Sequence, residues 1–232
     1  MSYGDLSVGV AFDMRRDTPF SYLCGACSRC CEGKAIRVGP YEVLRLARLL
    51  GLSTTQFIAR HTTSGGTILK ANAKGDCGFL TAEGCSVHPD RPLACRLYPL
   101  GMQVSEDGEE LFGQLSPHPR TEGAYGLSGT VESYLHTQGV APFIAANQKY
   151  EELYAHMVRV LALIDPDKID QRQARRDEAD LMGEGTLISS WMDIDLLLEG
   201  QQPQSAEIAV ERHIAALEVM LSVIVEAAAP GR

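Results

Sequence analysis

The sequence predicts an α+β protein. A small cysteine-rich metal-binding domain with short strands and helices should come first, followed by a mainly α-helical C-terminal region. Three observations lead to this prediction. All seven cysteines fall between positions 24 and 95. Over the same stretch, short apolar runs alternate with turns that contain glycine or proline. In the second half, apolar residues recur at helical spacing.

The N-terminal part carries two helix signals. Residues 1–20 read as a lead-in without a strong pattern. Pro40 suits the first position of a helix that Gly51 would end. Ser53, with Gln56 three residues later, forms a capping-box pattern, which predicts the start of a second helix.

Short strands and turns are predicted next. Residues 67–71 read as a strand, and residues 93–97 as one helical turn that ends before a proline. A turn sequence near the middle of residues 100–112 predicts a hairpin. The stretch 113–126 contains two prolines and several glycines, so it is predicted to be a loop and a domain boundary.

The remainder is predicted to be helical. Residues 141–164 and about 205–228 show helical spacing of apolar residues. The second of these has an apolar stripe at Val210, Ile214, Leu217, Leu221 and Ile224. This stripe predicts core packing, and a homodimer through the C-terminal helices is the alternative. The charged segment 166–180 is interpreted as a solvated helix or linker.

These signals divide the chain into a lead-in (1–20), a cysteine-cluster metal-binding domain (21–125) and a helical C-terminal region (126–232). The net charge of −9 argues against a nucleic-acid partner, because phosphate binding needs clustered Lys and Arg. No uninterrupted apolar run is long enough to predict a membrane span. The N-terminus lacks a secretory pattern, so a cytoplasmic location is expected.

The cysteines carry the functional signal. They are Cys24, Cys27, Cys30, Cys31, Cys77, Cys85 and Cys95. Their confinement to one stretch argues against scattered core thiols. An odd count and the absence of an export signal fit poorly with a disulfide framework. Metal ligation is the remaining interpretation, and zinc and iron–sulfur clusters both take thiolates.

Several arrangements of the thiolates stay open. Seven thiolates exceed one four-ligand site. In the preferred arrangement, four cysteines hold a cubane cluster and the others bind part of a second metal, with an open coordination position. Alternatively, one multinuclear centre uses nearly all of them, or some are merely buried thiols. His88, three residues after Cys85, is the preferred additional ligand, and His61 is a second candidate.

Cationic and hydrogen-bonding side chains near the cysteines would serve the cofactor. Thiolates around iron leave net negative charge, which arginines would offset. Arg96, directly after Cys95, is the first choice, and Arg91 is the second. Tyr98 would donate a hydrogen bond near the centre, or would simply pack beside Pro99.

The sequence resembles a known family at these residues. The segments CGACSRCC at 24–31, GDCGFL at 75–80 and GCSVHPDRPLACRLYP at 84–99 resemble the cysteine-cluster family typified by the bacterial YkgJ proteins. The resemblance covers about residues 20–100. It implies zinc or iron chelation. Relatives include flagellin lysine methylases with a four-iron cluster, so the resemblance favours a 4Fe–4S cluster over zinc or mononuclear iron. Those enzymes are longer, and methylase activity does not carry over.

Three functions remain in view. The first is an iron–sulfur metalloenzyme or accessory factor that acts on a protein, peptide or small molecule by methyl transfer or redox chemistry. No glycine-rich nucleotide fingerprint supports it. The second is a non-catalytic structural zinc module, and the third is metal handling or redox sensing. Paired carboxylates at Asp193 and Asp195 are predicted to lie on a helix surface, without a catalytic role.

Overall fold

A computed structural model describes residues 10–105, 107–164, 191–201, 203 and 205–228, without the side chains of 161–164, 224 and 226–228. The strands are β1 (Pro19–Leu23), β2 (Thr62–Thr63), β3 (Ile68–Leu69), β4 (Leu80–Thr81), β5 (Gly84–Cys85), β6 (Leu100–Val104), β7 (Glu110–Gln114) and β8 (Ala124–Thr130). The helices are α1 (Pro40–Leu49), α2 (Thr54–His61), α3 (Leu93–Leu97), α4 (Val131–Gln138), α5 (Ala141–Ile164), α6 (Ile194–Leu197) and α7 (Ala206–Ala228). This mixture of helices and short antiparallel strands confirms the predicted α+β class.

The chain forms two compact units, which divide it differently from the predicted boundary at 125/126. The first unit is Met1–Arg37 with Leu69–Ile144, and the second is Val38–Ile68 with Ala145–Arg232. Strand β8 stays with the cysteine-rich unit because it pairs antiparallel with β1, and α4 packs on both strands. Helices α1 and α2 join the helical unit because α1 packs on α7 and α2 on α6.

The first unit is built on two antiparallel ribbons. In the β1–β8 ribbon, Tyr22 lies opposite Tyr125. The β6–β7 hairpin confirms the predicted hairpin over 100–112, and Phe112 in β7 exchanges backbone hydrogen bonds with Met14. Phe20 of β1 is buried, and its ring meets Tyr134 of α4 edge to face at 5.2 Å between centroids. Apolar residues from both ribbons and from α4 form this core.

The helical unit confirms several predicted helix ends. Pro40 begins α1, and Gly51 follows its end with a φ of 65°, a left-handed conformation that glycine adopts without strain. Ser53 and Gln56 form the predicted capping box at the start of α2. Helix α5 and the last helix span nearly the predicted ranges. In the stripe of α7, Val210, Leu217 and Leu221 are buried, which confirms the core-packing interpretation for these three.

Two details differ from the prediction. Residues 67–71 contribute only the two-residue strand β3. Asp193 and Asp195 do not lie on a surface: they are 5% and 8% exposed. The hydroxyl of Thr54 donates to Asp193 Oδ1 over 2.6 Å, and the amide of Thr54 donates to Asp195 Oδ2 over 2.7 Å. Their carboxylates are buried because they bind the first turn of α2. The charged segment 166–180 lies outside the described residues.

No helix in the described part of the chain combines the length and apolar character needed to cross a bilayer.

Candidate metal centre

The first four cysteines lie in a tight segment after β1. Cys27 stands between Ala26 and Ser28, whose φ angles of 53° and 59° are left-handed. This conformation is costly for residues other than glycine and reverses the chain sharply on both sides of Cys27. A single 3₁₀ turn, Arg29–Cys31, closes the segment. We call residues 24–31 the cysteine knuckle.

The second cysteine segment is bonded directly to the knuckle. The amide of Cys77 donates to the carbonyl of Cys31 over 3.0 Å. Cys85 lies in β5, opposite Leu80 of β4, so this small ribbon returns the chain towards Cys77. A Cβ added at Gly84 would lie 3.7 Å from Ser28 Oγ, so the strand that carries Cys85 approaches the knuckle as well.

Cys95 enters from helix α3, which confirms the predicted helical turn. The residue keeps some solvent exposure, but surrounding atoms shield its thiol, and this burial raises the pKa of Cys95. Negative charge on Cys77, Cys30 and Cys85 raises it further.

We call five thiols the inner cysteines: Cys30, Cys31, Cys77 and Cys95, with Cys85, whose charge acts on Cys77 and Cys95. Within the set, a hydrogen bond between the side chains of Cys30 and Cys31 lowers the pKa of Cys30 to about 7 and raises that of Cys31. Burial raises the pKa of Cys77. Arg91 and Lys34 contribute positive charge that favours the Cys30 thiolate.

The outer cysteines, Cys24 and Cys27, form the exposed edge. Cys24 is exposed, and its sulfur accepts the amide of Ala26 over 3.4 Å. The pKa of Cys27 is lowered, chiefly by the amide of Glu122, then by the amide of Arg29, with a further contribution from the Thr121 hydroxyl. Donors directed at a sulfur stabilise its thiolate, which is the form that binds metal.

The two arginines that were predicted to serve the cofactor, Arg96 and Arg91, have different surroundings. Arg96 is buried, and its guanidinium donates to the carbonyls of Arg91, Gln138 and Pro89 over 2.9, 2.8 and 2.5 Å. It also stacks on Phe143, 4.3 Å from the ring centroid. These contacts give Arg96 a role in joining the chain after Cys85 to α4, and Arg91 is the arginine whose charge reaches Cys30 and Cys95.

The predicted tyrosine lies beside the cysteines. The hydroxyl of Tyr98 accepts the amide of His118 over 3.4 Å, and burial raises the pKa of Tyr98. Negative charge on Cys30 and Cys27 adds to that rise. Tyr98 also meets Tyr22 edge to face at 6.2 Å.

The two histidines belong to different units. His88 lies in the unit of the cysteines, with Nδ1 3.4 Å from Arg91 Nη1, and burial followed by the charges of Arg91 and Arg96 lowers its pKa. A low pKa keeps an imidazole neutral, as a metal ligand requires. His61 lies in the helical unit, where its ring packs on Phe57 at 5.2 Å.

Sequence reasoning missed a loop and a tyrosine cluster. Thr121 and Glu122 belong to the stretch that was predicted to be a domain boundary, yet they contact Cys27. Tyr22 and Tyr125 pack at 5.0 Å, and charges on Cys24, Cys27 and Cys30 contribute to a raised Tyr22 pKa. Of these residues, only Tyr22 could have been linked to the site from the sequence, because it lies two residues before Cys24.

By their chemistry the seven free cysteines suit a thiophilic metal, although their arrangement in the described structure does not form a coordination sphere. The positive charges of Arg29, Lys34 and Arg91 partly offset the negative charge of thiolates at this site. Two buried polar atoms near the cysteines, Arg29 Nε and the Tyr125 hydroxyl, have no hydrogen-bond partner among the described residues. Among those same residues, no three His, Cys, Asp or Glu side chains are gathered closely enough to hold an ion.

The comparisons with known proteins agree with the donor set. Residues 23–115 match the family CxxCxxCC, described as "Putative zinc- or iron-chelating domain". This range contains every cysteine of the chain. No curated protein and no solved structure matches the chain.

Proposed function

Because residues 23–115 match the CxxCxxCC family model, we propose that this chain binds iron as an iron–sulfur cluster held by its inner cysteines. The observation that carries the proposal is geometric: the amide of Cys77 bonds to the carbonyl of Cys31, and the strand that bears Cys85 approaches the knuckle at Ser28. A cubane cluster takes four thiolates, a number that the five inner cysteines supply. Among the described residues no three such side chains are yet close enough to hold an ion, so cluster binding would draw these thiols together. Such a protein belongs in a reducing compartment, where free thiols persist.

The outer cysteines supply the second part of the proposal. Cys24 and Cys27 supply two of the four ligands of a tetrahedral site, so a metal bound there keeps open coordination positions. His88 and water are the candidates to complete it. A metal with open positions acts as a Lewis acid or exchanges electrons when bound. Cys24 and Cys27 would bind this metal, and the positive charge of Arg29 would offset the negative charge of the Cys27 thiolate.

Exposed apolar side chains favour a protein or peptide as the substrate or partner. Leu23 directly precedes Cys24 and is 74% exposed, and Leu127 of β8 is 77% exposed. Leu23 ends β1 directly before the outer cysteines, and Leu127 lies on the partner strand, three residues beyond Ala124, which pairs with Leu23. Apolar groups held in solvent gain free energy when a partner covers them. Methyl transfer and redox chemistry are the reaction classes that this arrangement leaves open.

A structural zinc module is the second candidate. Cys77 and Cys95 have pKa values raised by burial, and thiols shielded in this way are typical of structural positions. A closed four-thiolate zinc site would stabilise the cysteine-rich unit without any reaction. Metal handling or redox sensing through the outer cysteines is the third.

Anaerobic purification followed by metal analysis tests the proposal. We expect a brown protein with about four iron and four sulfide per chain, and a Mössbauer spectrum of a cubane cluster. Colourless protein with one zinc per chain would replace the proposal with the structural module. A cluster whose spectrum changes when an apolar peptide is added would support the catalytic or accessory role at the outer edge.

A further inference from the structure

The loop that follows β7 rests directly on the cysteine knuckle. A Cβ added at Gly25 would lie 2.6 Å from the carbonyl oxygen of Glu122, so the two backbones touch there. Close approach of this kind requires glycine, which explains the residue after Cys24. On the other side of the loop, the amide of His118 donates to the Tyr98 hydroxyl over 3.4 Å. Residues 118–123 thus lie against the cysteine knuckle on the side of Cys27.

One carboxylate ties this loop to the knuckle. Glu32 follows Cys31, and its Oε2 lies 2.7 Å from Arg120 Nη2 and 3.6 Å from His118 Nε2. Its other oxygen accepts from Arg29 over 2.5 Å. An isolated ion pair at the surface contributes little, but Glu32 joins cations from the loop and from the knuckle in a single network.

The tip of the loop faces the sulfur of Cys27. The Thr121 hydroxyl lies 3.5 Å from the Tyr22 hydroxyl and accepts the amide of Gly123 over 3.2 Å. These contacts fix Thr121, and with it the amide of Glu122, at the place where both donate towards Cys27. Hydrogen bonds to a ligating thiolate orient it and adjust its donor strength.

We infer that residues 118–123 form a latch against Cys27. The Glu32–Arg120 ion pair keeps the latch closed, and Thr121 is a positioning residue for the Cys27 thiolate. The closed latch slows the access of chelators and thiol reagents to Cys27. The part of this inference that concerns metal release rests on the proposed function. The part that concerns the reactivity of the Cys27 thiol holds in metal-free protein as well.

The test compares Arg120→Gln with Arg15→Gln, which removes another exposed ion pair of the same unit, Arg15–Glu109. In metal-free protein, iodoacetamide labelling of Cys27 followed by mass spectrometry should be about two- to fivefold faster in Arg120→Gln, as the loss of a surface pair predicts. Labelling of Cys95 serves as the internal reference, because a general loosening of the unit would accelerate it too. Raising the salt concentration should bring the wild type towards the variant.

In protein as purified, metal release to a competing chelator should accelerate by the same factor. Equal labelling rates in Arg120→Gln and the wild type would overturn the latch, as would equal acceleration by Arg15→Gln. Thr121→Val should alter the absorption spectrum of the loaded protein and Thr121→Ser should restore it, which a purely structural role would not require. If anaerobically purified wild type contains no iron, the proposed function fails, while faster Cys27 labelling in Arg120→Gln would still uphold the latch.

Discussion

The amide of Cys77 donates a hydrogen bond to the carbonyl oxygen of Cys31, with 3.0 Å between nitrogen and oxygen. This bond joins the cysteine knuckle to the segment that leads to Cys85. It explains how thiols far apart in the chain come to share one region.

Replacing inner and outer cysteines should have unequal effects on metal content. Cys95→Ala removes a shielded thiol of the inner set, so it should abolish most of the bound iron and sulfide. Cys24→Ala removes an exposed thiol and should leave the inner cluster in place. Elemental analysis of both variants after anaerobic purification checks this. Equal losses in the two variants would contradict the division into inner and outer sets.

The thiols should titrate at different pH values in the metal-free protein. The thiolate is the reactive form, and an ordinary cysteine has a pKa of about 8.5. The pKa of Cys27 is lowered, so its alkylation rate should reach half its maximum below that pH. The pKa of Cys95 is raised, so its midpoint should lie above that pH. Mass-spectrometric rates measured from pH 6 to 10, a range of about two units either side of the ordinary pKa, test the order.

Arg96→Lys should destabilise the cysteine-rich unit, although it keeps the charge. Lysine lacks the planar fork that serves the carbonyls of Arg91, Gln138 and Pro89, and it stacks poorly on aromatic rings. We expect a loss of about 3 kcal/mol in the free energy of unfolding. Arg15→Lys, at an exposed pair, should change it by less than about 0.5 kcal/mol. Urea unfolding of both proteins makes the comparison.

Thr54→Val should weaken the helical unit. The variant keeps the shape of the side chain but removes the hydroxyl that donates to Asp193 and accepts the amide of Asp195. A buried carboxylate then loses a donor, which costs about 1–3 kcal/mol of unfolding free energy. Thr55→Val is the matched control, since Thr55 is exposed in the same helix turn. Similar urea midpoints for the two variants would refute the role of this network.

Much of the local structure could be predicted because its signals are local. The Ser53–Gln56 capping box, the helix from Pro40 and the hairpin of β6 and β7 depend on residues a few positions apart. The same holds for the metal-binding interpretation, which depends on the spacing of the cysteines. The family match over residues 23–115 supports zinc or iron chelation.

The position of Asp193 shows where local reasoning ends. Two aspartates with one residue between them look like surface groups, because burial of a carboxylate is costly unless a donor meets it. Thr54, which provides that donor, lies in a distant part of the chain. Sequence spacing alone carries no sign of such a partner.

The sequence by itself predicted thiolate ligands for zinc or iron, the β6–β7 hairpin and the bounds of α1, α2, α3, α5 and α7, because each follows from side-chain chemistry or short-range periodicity. It did not predict β1, β8 or α4, whose formation depends on the pairing of distant segments. The tertiary structure decided which thiols are shielded, which arginine faces them, and that the loop with Thr121 and Glu122 lies against Cys27. Those outcomes depend on contacts between segments far apart in the chain, whose formation is set by the packing of the whole unit.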